Sequence, residues 1–119
     1  MSNDLEANMN RKQKRIVLNQ PIEINDVING GKFGELINIS TEGLMVMTKC
    51  FIPTQAIYQL SINLPASLQG KESLDLGADC LWCHREEHSI HYWAGLQIID
   101  ASDTAMYQIR ELIAHYKNS

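Results

Sequence analysis

Short stretches in which apolar and polar residues alternate, separated by polar turns, constrain the fold of this chain more than any other feature. In an extended strand successive side chains point to opposite faces, so alternation over several residues predicts a strand with one buried face. The apolar face of the stretch IYQLSINLP carries Tyr58, Leu60, Ile62 and Leu64. The apolar face of SLDLGADCLWC carries Leu74, Leu76, Ala78, Cys80 and Trp82. Both stretches are therefore predicted to be β-strands.

Four further stretches are typical of strands. RIVLNQPIEIN contains Pro21, which indicates an edge position or a bulge. GGKFGELINIS begins with a turn at Gly30 and Gly31, LMVMTKCFI follows the polar STEG, and IHYWAGLQII follows REEHS. Several short strands joined by polar turns predict an antiparallel barrel or sandwich.

The apolar period changes to that of a helix after Ser102. The residues that recur at spacings of one, three and four are Met106, Ile109, Leu112, Ile113 and Tyr116. Ser102 is suited to cap this helix and Asp103 to its first turn, because the free backbone N–H groups there favour acceptors and negative charge. We predict an amphipathic helix of about four turns whose apolar stripe packs on the barrel.

The length of 119 residues fits a single domain, and 45% apolar with 20% charged residues is ordinary for a globular protein. No stretch approaches the roughly 20 continuous apolar residues of a membrane span. The first residues also lack the apolar run of a secretory signal, so we expect a cytoplasmic protein. Three cysteines, an odd number, argue against a disulfide framework in that compartment.

The formal net charge of −4 is unevenly distributed along the chain. The segment RKQKR, residues 11–15, holds four of the ten basic residues and no acidic one, whereas all fourteen acidic residues lie elsewhere. Such a basic segment can be a solvated tail, a nucleic-acid contact or an anion clamp. Residues 1–10 are polar without periodicity, and we expect them to form a flexible N-terminal segment.

The stretch CLWCH, residues 80–84, matches the CxxCH motif of a c-type haem attachment site, and His88 and His91 follow nearby. In a regular strand, however, the side chains of Cys80 and Cys83 point to opposite faces, so they cannot both attach to one haem or coordinate one zinc ion. We therefore predict no metal site, with Cys80 buried as a small apolar side chain. The three histidines are expected to be solvated around a hairpin.

Two other elements carry side chains suited to ligand binding. Arg11 and Arg15 lie four positions apart in the basic segment, and an arginine guanidinium can bind phosphate oxygens or the guanine edge in bidentate fashion. In NISTEG, Asn38 and Ser40 stand two apart and therefore project from one face of a strand. Gly43 fits a position that requires positive φ or close backbone approach. Taken alone, NISTEG is also typical of an ordinary β-turn.

Together the two motifs resemble the signature of the PilZ domain family, in which RxxxR is followed by [DN]xSxxG. The resemblance implies a six-stranded antiparallel barrel with a C-terminal helix, here spanning residues 11–119. It also implies a bacterial receptor for cyclic di-GMP. Arg11 and Arg15 should then engage guanine and phosphate, Asn38 and Ser40 should hydrogen-bond the ligand, and Gly43 should shape the turn.

The leading hypothesis is a non-enzymatic receptor in which cyclic di-GMP orders the N-terminal arm, changing the surface seen by an unidentified downstream protein. The alternative is a protein-docking module that binds no nucleotide. Nucleic-acid binding through the basic segment is disfavoured by the pI of about 5.5. We expect no enzyme activity, because no nucleophile and base are convincingly spaced.

Overall fold

The computed structural model describes residues 16–65 and 72–117, with the backbone alone for residues 16–21 and 117. The elements in chain order are β1 (Ile16–Asp26), β2 (Lys32–Ile39), β3 (Gly43–Thr48), β4 (Ile57–Asn63), β5 (Ser73–Arg85), β6 (Tyr92–Asp100) and helix α1 (Asp103–Lys117). The predicted flexible segment, residues 1–10, and both arginines of the RxxxR motif, Arg11 and Arg15, lie outside the described residues.

The six strands form a closed antiparallel barrel in the order β1–β2–β3–β6–β5–β4. The barrel closes through a short seam between β1 and β4, in which Ile24 pairs with Ile62 and Asp26 with Leu60. β1 departs from regular register between Val17 and Ile22, as expected for the strand that contains Pro21. The predicted six-stranded antiparallel barrel with a C-terminal helix is confirmed.

Alternating apolar residues fill the barrel. The fully buried large side chains contributed by the strands are Ile24, Leu36, Ile39, Leu44, Val46, Leu60, Ile62, Leu74, Cys80 and Leu96. Each fully buried Leu or Ile contributes about 1.5–3 kcal/mol of hydrophobic free energy relative to an exposed one, so this inner face is the main source of stability. The predicted apolar face of β4 is confirmed, because Leu60 and Ile62 belong to this core and Tyr58 and Leu64 pack against it.

Helix α1 begins at the predicted cap. The Ser102 hydroxyl accepts the N–H of Ala105 at 3.0 Å, and the Ser102 carbonyl accepts the N–H of Met106 at 2.9 Å. Ile109 and Leu112 are fully buried, and α1 packs on β1 and β5. The predicted apolar stripe therefore faces the barrel, as expected. No helix among the described residues is long and apolar enough to cross a membrane.

A bulge in β5 overturns the predicted placement of Trp82 and Cys83. Cys80 pairs with Leu96 and Trp82 with Gly95, so β5 advances two residues while β6 advances one. Because the extra residue reverses the alternation beyond it, Cys83 packs against the core and Trp82 lies outside it. The predictions that Trp82 shares the face of Cys80, and that the two cysteines point to opposite faces, are both wrong.

Both cysteine sulfurs instead lie beside the backbone of Ile52. The Ile52 N–H donates to Cys83 Sγ at 3.3 Å, and Cys80 Sγ lies 3.9 Å from the Ile52 oxygen. Burial raises the pKa of Cys80 to about 11 and also raises the pKa of Cys83, which keeps both groups as thiols at neutral pH. Within residues 16–65 and 72–117, no three His, Cys, Asp or Glu side chains are arranged to hold a metal ion.

Candidate functional site

The NISTEG segment forms a tight turn between β2 and β3. The Ser40 N–H donates to the Gly43 carbonyl at 2.9 Å, and the Ser40 hydroxyl accepts the N–H groups of Glu42 and Gly43 at 3.2 Å each. The Glu42 carbonyl accepts the N–H of Ile98 at 2.8 Å, which fastens the turn to β6. Ser40 therefore organises this turn through both its backbone and its side chain.

The expectation of positive φ at Gly43 is wrong, since Gly30 and Gly31 are the glycines with positive φ among the described residues. Gly43 is already the first residue of β3 and pairs with Gln97. The Ser40 hydroxyl and the Ser40–Gly43 backbone bond close the turn before the strand begins, so Gly43 adopts extended backbone. The alternative reason for a glycine here, close backbone approach, stays a prediction.

Asn38 and Ser40 flank Ile39, which is fully buried in the core, so the alternation places both on the outer side of the barrel. Both are nevertheless nearly inaccessible, with 3% and 1% of their surface exposed. The Ser40 hydroxyl already accepts two N–H groups, and its own hydrogen is the group left to donate to an acceptor.

The start of β1 runs directly beside this turn. Ile16 pairs with Ile39 and Val17 with Asn38. In the sequence, Arg15 directly precedes Ile16, the residue with which β1 begins beside the Asn38–Gly43 turn. The NxSxxG turn therefore lies beside the first described residue after the RxxxR motif.

A row of outward-facing positions continues from Asn38 around the barrel. Asn38 pairs with Met45, Met45 with Gly95, and Gly95 with Trp82. With neighbouring strands about 4.8 Å apart, the row spans about 14 Å from β2 to β5. Sequence reasoning missed Met45, Gly95 and Trp82, although a glycine inside YWAGLQI signals close approach of another group.

Trp82 lies flat in this row because Gly95 has no side chain. A Cβ on Gly95 would overlap the Nε1 and Cε2 atoms of the indole. The ring stacks on His84 with centroids 4.8 Å apart and an interplanar angle of 15°. Trp82 is 7% exposed, and its Nε1 has no hydrogen-bond partner among the described residues. A buried N–H without an acceptor costs about 1–3 kcal/mol, which makes this donor a candidate ligand contact.

A groove of about 450 Å³ lies at the Trp82 end of the row. Its lining residues are Met45, Trp82, His84, Arg85, Glu86, Glu87 and Trp93. Trp93 Nε1 donates to Glu86 Oε1 at 2.7 Å, so this second indole, unlike that of Trp82, has its acceptor. The groove thus combines aromatic surface with the Trp82 N–H, for which the described residues provide no acceptor.

Negative charge surrounds the Asn38–Gly43 turn. Glu42 is exposed within the turn itself, and Asp79 pairs with Gln97, the neighbour of Gly43 on β6. A dianionic ligand approaching this surface therefore meets carboxylates, and the cluster of four basic residues in the sequence, RKQKR, directly precedes the start of β1 beside this turn.

A closed six-stranded antiparallel barrel with a C-terminal helix, and an NxSxxG turn beside the start of β1, define a class of small β-barrel domains. The PilZ domain family matches residues 9–115. The chain belongs to the PilZ domain family, whose members are non-catalytic receptors. No curated protein sequence matches it at a significant level.

Solved structures share this fold at low sequence identity. The PilZ domain of YcgR from Escherichia coli with c-di-GMP is 14% identical, with a TM-score of 0.68 over 91% of this chain and 92% of that chain. The structure of YcgR in complex with c-di-GMP is 13% identical, with a TM-score of 0.72 over 91% and 46%. The Bacillus subtilis inhibitor of motility MotI/DgrA is 13% identical, with a TM-score of 0.71 over 92% and 53%. The chain spans about half the length of these last two proteins.

Proposed function

We propose that this protein is a receptor for cyclic di-GMP that binds the nucleotide between the RxxxR segment and the NxSxxG turn. The observation that carries the proposal is the β1–β2 register, in which Ile16 pairs with Ile39 and Val17 with Asn38. Because Arg15 directly precedes Ile16 in the sequence, this register supports a shared binding site for the two motifs. Family membership and the similarity to YcgR structures that contain c-di-GMP support the same ligand.

Each motif supplies chemistry that the other lacks. Arg11 and Arg15 are suited to bind phosphate oxygens and the guanine edge, because their guanidinium groups are planar, charged and bidentate. Asn38 offers an amide and Ser40 a hydroxyl hydrogen, while the absence of a side chain at Gly43 lets the ligand approach the backbone at the start of β3. The ligand carries two negative phosphates, so the cations of the arm offset the repulsion from Glu42 and Asp79.

The row from Asn38 to Trp82 extends the proposed site across the barrel. Guanine and phosphate oxygens are acceptors, and Trp82 Nε1 is a buried donor without a partner among the described residues. The length of the row, about 14 Å from the strand spacing, is of the size of a dinucleotide. We include Trp82 as a further contact of the bound nucleotide.

The signalling step that we propose is a change in the N-terminal arm. Binding fixes residues 1–15 against the turn, because Arg11 and Arg15 must both reach the ligand. The surface presented to a downstream protein then differs between the free and the bound state. The entropy lost by the arm opposes binding, so the affinity should be moderate and should fall as salt screens the phosphate contacts.

Calorimetric titration of the full chain with cyclic di-GMP tests the proposal. Arg15→Ala removes a charge-assisted contact worth about 1.5–3 kcal/mol, which is roughly a ten- to hundredfold loss of affinity. Arg110→Ala is the matched control, because Arg110 is exposed on α1 and its loss changes the net charge equally. Equal affinities for wild type and Arg15→Ala, or no binding by wild type, would contradict the proposal.

One observation favours the alternative of a protein-docking module that binds no nucleotide. Asn38 and Ser40 are 3% and 1% exposed, and the Ser40 hydroxyl already serves the turn. Under that alternative the NxSxxG residues are purely structural. A partner pulled down equally by wild type and Arg11→Ala, with and without cyclic di-GMP, would support it over the receptor.

A further inference from the structure

A second cavity, of about 610 Å³, lies at the opposite end of the barrel from the Asn38–Gly43 turn. Lys32 and Gly34 at the start of β2 and Thr48 at the end of β3 line it, whereas the turn joins the other ends of these two strands. The remaining walls come from the β1–β2 turn, the segment after β3, Tyr58 and His91. The volume lies within the range of specific binding pockets, about 300–1,000 Å³.

Two aromatic side chains, Phe33 and Tyr58, line the interior of this cavity and are fixed in position. The rings of Phe33 and Tyr58 lie 5.3 Å apart at 53°, and the Tyr58 hydroxyl donates to the Pro53 carbonyl at 2.9 Å. Gly34 brings β2 close to β3, since a Cβ there would lie 2.7 Å from the Met47 carbonyl oxygen. The cavity is therefore a formed pocket between fixed strand ends.

Three loops around the cavity each expose a large apolar side chain. Ile28, in the β1–β2 turn, is 73% exposed, and Ile90, next to His91 in the β5–β6 loop, is 68% exposed. Phe51, in the segment after β3, is 54% exposed and contacts the ring of Tyr92 edge-on. Single exposed apolar residues are ordinary, but three around one apolar pocket are typical of a protein-binding surface.

Among the described residues, the charges at the cavity leave one cation, Lys49, without an ion pair. The Asp26 carboxylate accepts the N–H groups of Ile28 and Asn29 within its own turn, and Lys32 pairs with Glu35 at 3.1 Å. Lys49 has no ion pair with any residue in the described parts of the chain. Its ammonium group therefore favours a negative group on whatever binds here.

We propose that this end of the barrel, which we term the Lys49 surface, docks a peptide segment of a partner protein that carries a large apolar side chain close to a carboxylate. The apolar side chain fills the cavity beside Phe33 and Tyr58, and the carboxylate faces Lys49. The flanking residues of the segment cover Ile28, Phe51 and Ile90. A small molecule enclosed by the cavity would leave those three side chains in water, which is why a peptide fits better.

The Lys49 surface is separate from the proposed nucleotide site. The two lie at opposite ends of β2 and β3, so a partner can dock while the nucleotide is bound. Substitutions at exposed positions of the Lys49 surface should leave cyclic di-GMP affinity unchanged. The inference therefore does not depend on the nucleotide-binding proposal and can fail or succeed independently of it.

The experiment is selection of a phage-displayed library of random peptides, about twelve residues long, on the full chain. We expect enriched peptides to carry Trp, Phe or Leu within a few positions of Asp or Glu. Their dissociation constants are then measured by fluorescence anisotropy. Lys49→Glu should weaken binding by about three- to tenfold, because it repels the carboxylate, and Phe51→Ser by at least about fivefold, because it removes apolar surface that the peptide covers.

Two exposed residues of α1 provide matched controls. Arg110→Glu reverses a charge as Lys49→Glu does, and Tyr107→Ser removes an exposed aromatic side chain as Phe51→Ser does. Both should leave the affinity within about twofold of wild type, and a peptide with Lys in place of its acid should bind Lys49→Glu better than wild type. Absence of enrichment, enriched peptides indifferent to Lys49→Glu, or binding of decanoate that no peptide displaces would overturn the proposal.

Discussion

A methyl group added at Gly95 should destabilise this barrel, although alanine is ordinarily the better strand residue. The added Cβ would overlap Trp82 Nε1 and Cε2 and lie 2.8 Å from Cζ2. The indole is 7% exposed and stacks on His84, so moving away from Gly95 would disrupt this stack and expose the ring in the adjoining groove. Gly95→Ala therefore forces a buried ring to move.

The size of the effect follows from two opposing contributions. Replacing glycine by alanine in a strand interior gains about 0.5–1 kcal/mol, because the unfolded chain loses conformational freedom. Overpacking of a well-filled site costs about 1–3 kcal/mol. The clash at Gly95 involves ring atoms at the centre of a stacked pair, so we expect a net loss of about 1–2 kcal/mol. With a urea m-value in the usual range for small domains, the unfolding midpoint should fall by roughly 1 M.

Urea unfolding followed by far-UV circular dichroism measures this loss, and a double-mutant cycle with Trp82→Ala identifies its cause. With the indole removed, Gly95→Ala should be neutral or stabilising by up to about 1 kcal/mol. Gly77→Ala is the control, since an added Cβ there would lie 3.2 Å from Asp100 Cβ and Gln59 Nε2, and these neighbours need to shift by only a few tenths of an ångström. An equal loss from Gly95→Ala in the wild-type protein and in the Trp82→Ala variant would refute the reasoning.

Three further predictions concern the cap of α1, the β1–β2 turn and the thiols. Ser102→Ala should lower the free energy of unfolding by about 1 kcal/mol through loss of the helix cap, and an unchanged urea midpoint would contradict this. The backbone N–H of Asn29 donates to the Asp26 carboxylate and holds its pKa below the usual value. The contribution of this carboxylate to the free energy of unfolding is therefore complete above about pH 4 and is lost as the pH falls through the folded-state pKa. The free energy of unfolding of the Asp26→Asn variant should therefore fall less than that of wild type as the pH drops below about 4. The same fall in both proteins would contradict the lowered pKa of Asp26. Ellman's reagent at pH 8 should modify exposed Cys50 quickly, half-buried Cys83 much more slowly and buried Cys80 only on unfolding, and two or more fast thiols would contradict this order.

The fold could be predicted from the pattern of apolar residues wherever the strands and the helix are regular. The alternation in β4 and the first half of β5 identifies the inward side chains, as the buried Leu60, Leu74 and Leu76 confirm. The 3.6-residue period after Ser102 identifies the cap and the buried face of α1. In these segments the face on which a side chain lies depends only on residues close to it in the sequence, so the sequence alone predicts it.

The bulges could not be predicted in the same way. The reversal at Leu81, which turns Trp82 outward and Cys83 inward, arises from the register of β5 against β6, and the shift between Leu36 and Asn38 arises from the register of β2 against β3. A one-residue shift reverses every later side chain, so an error there spreads to the end of the strand. For the same reason the row that joins Asn38 to Trp82 emerges only from the strand register.

The measurement that tests the central claim most directly is a titration of ¹⁵N-labelled protein with cyclic di-GMP, followed by two-dimensional NMR. The account predicts that the amide signals of Asn38, Ser40 and Gly43 shift together with those of the RKQKR segment. It also predicts that the Trp82 indole N–H signal moves downfield as its Nε1 gains an acceptor, while the Trp93 indole signal stays in place. Unmoved signals from the arm and the turn at a saturating concentration of the nucleotide would contradict the account.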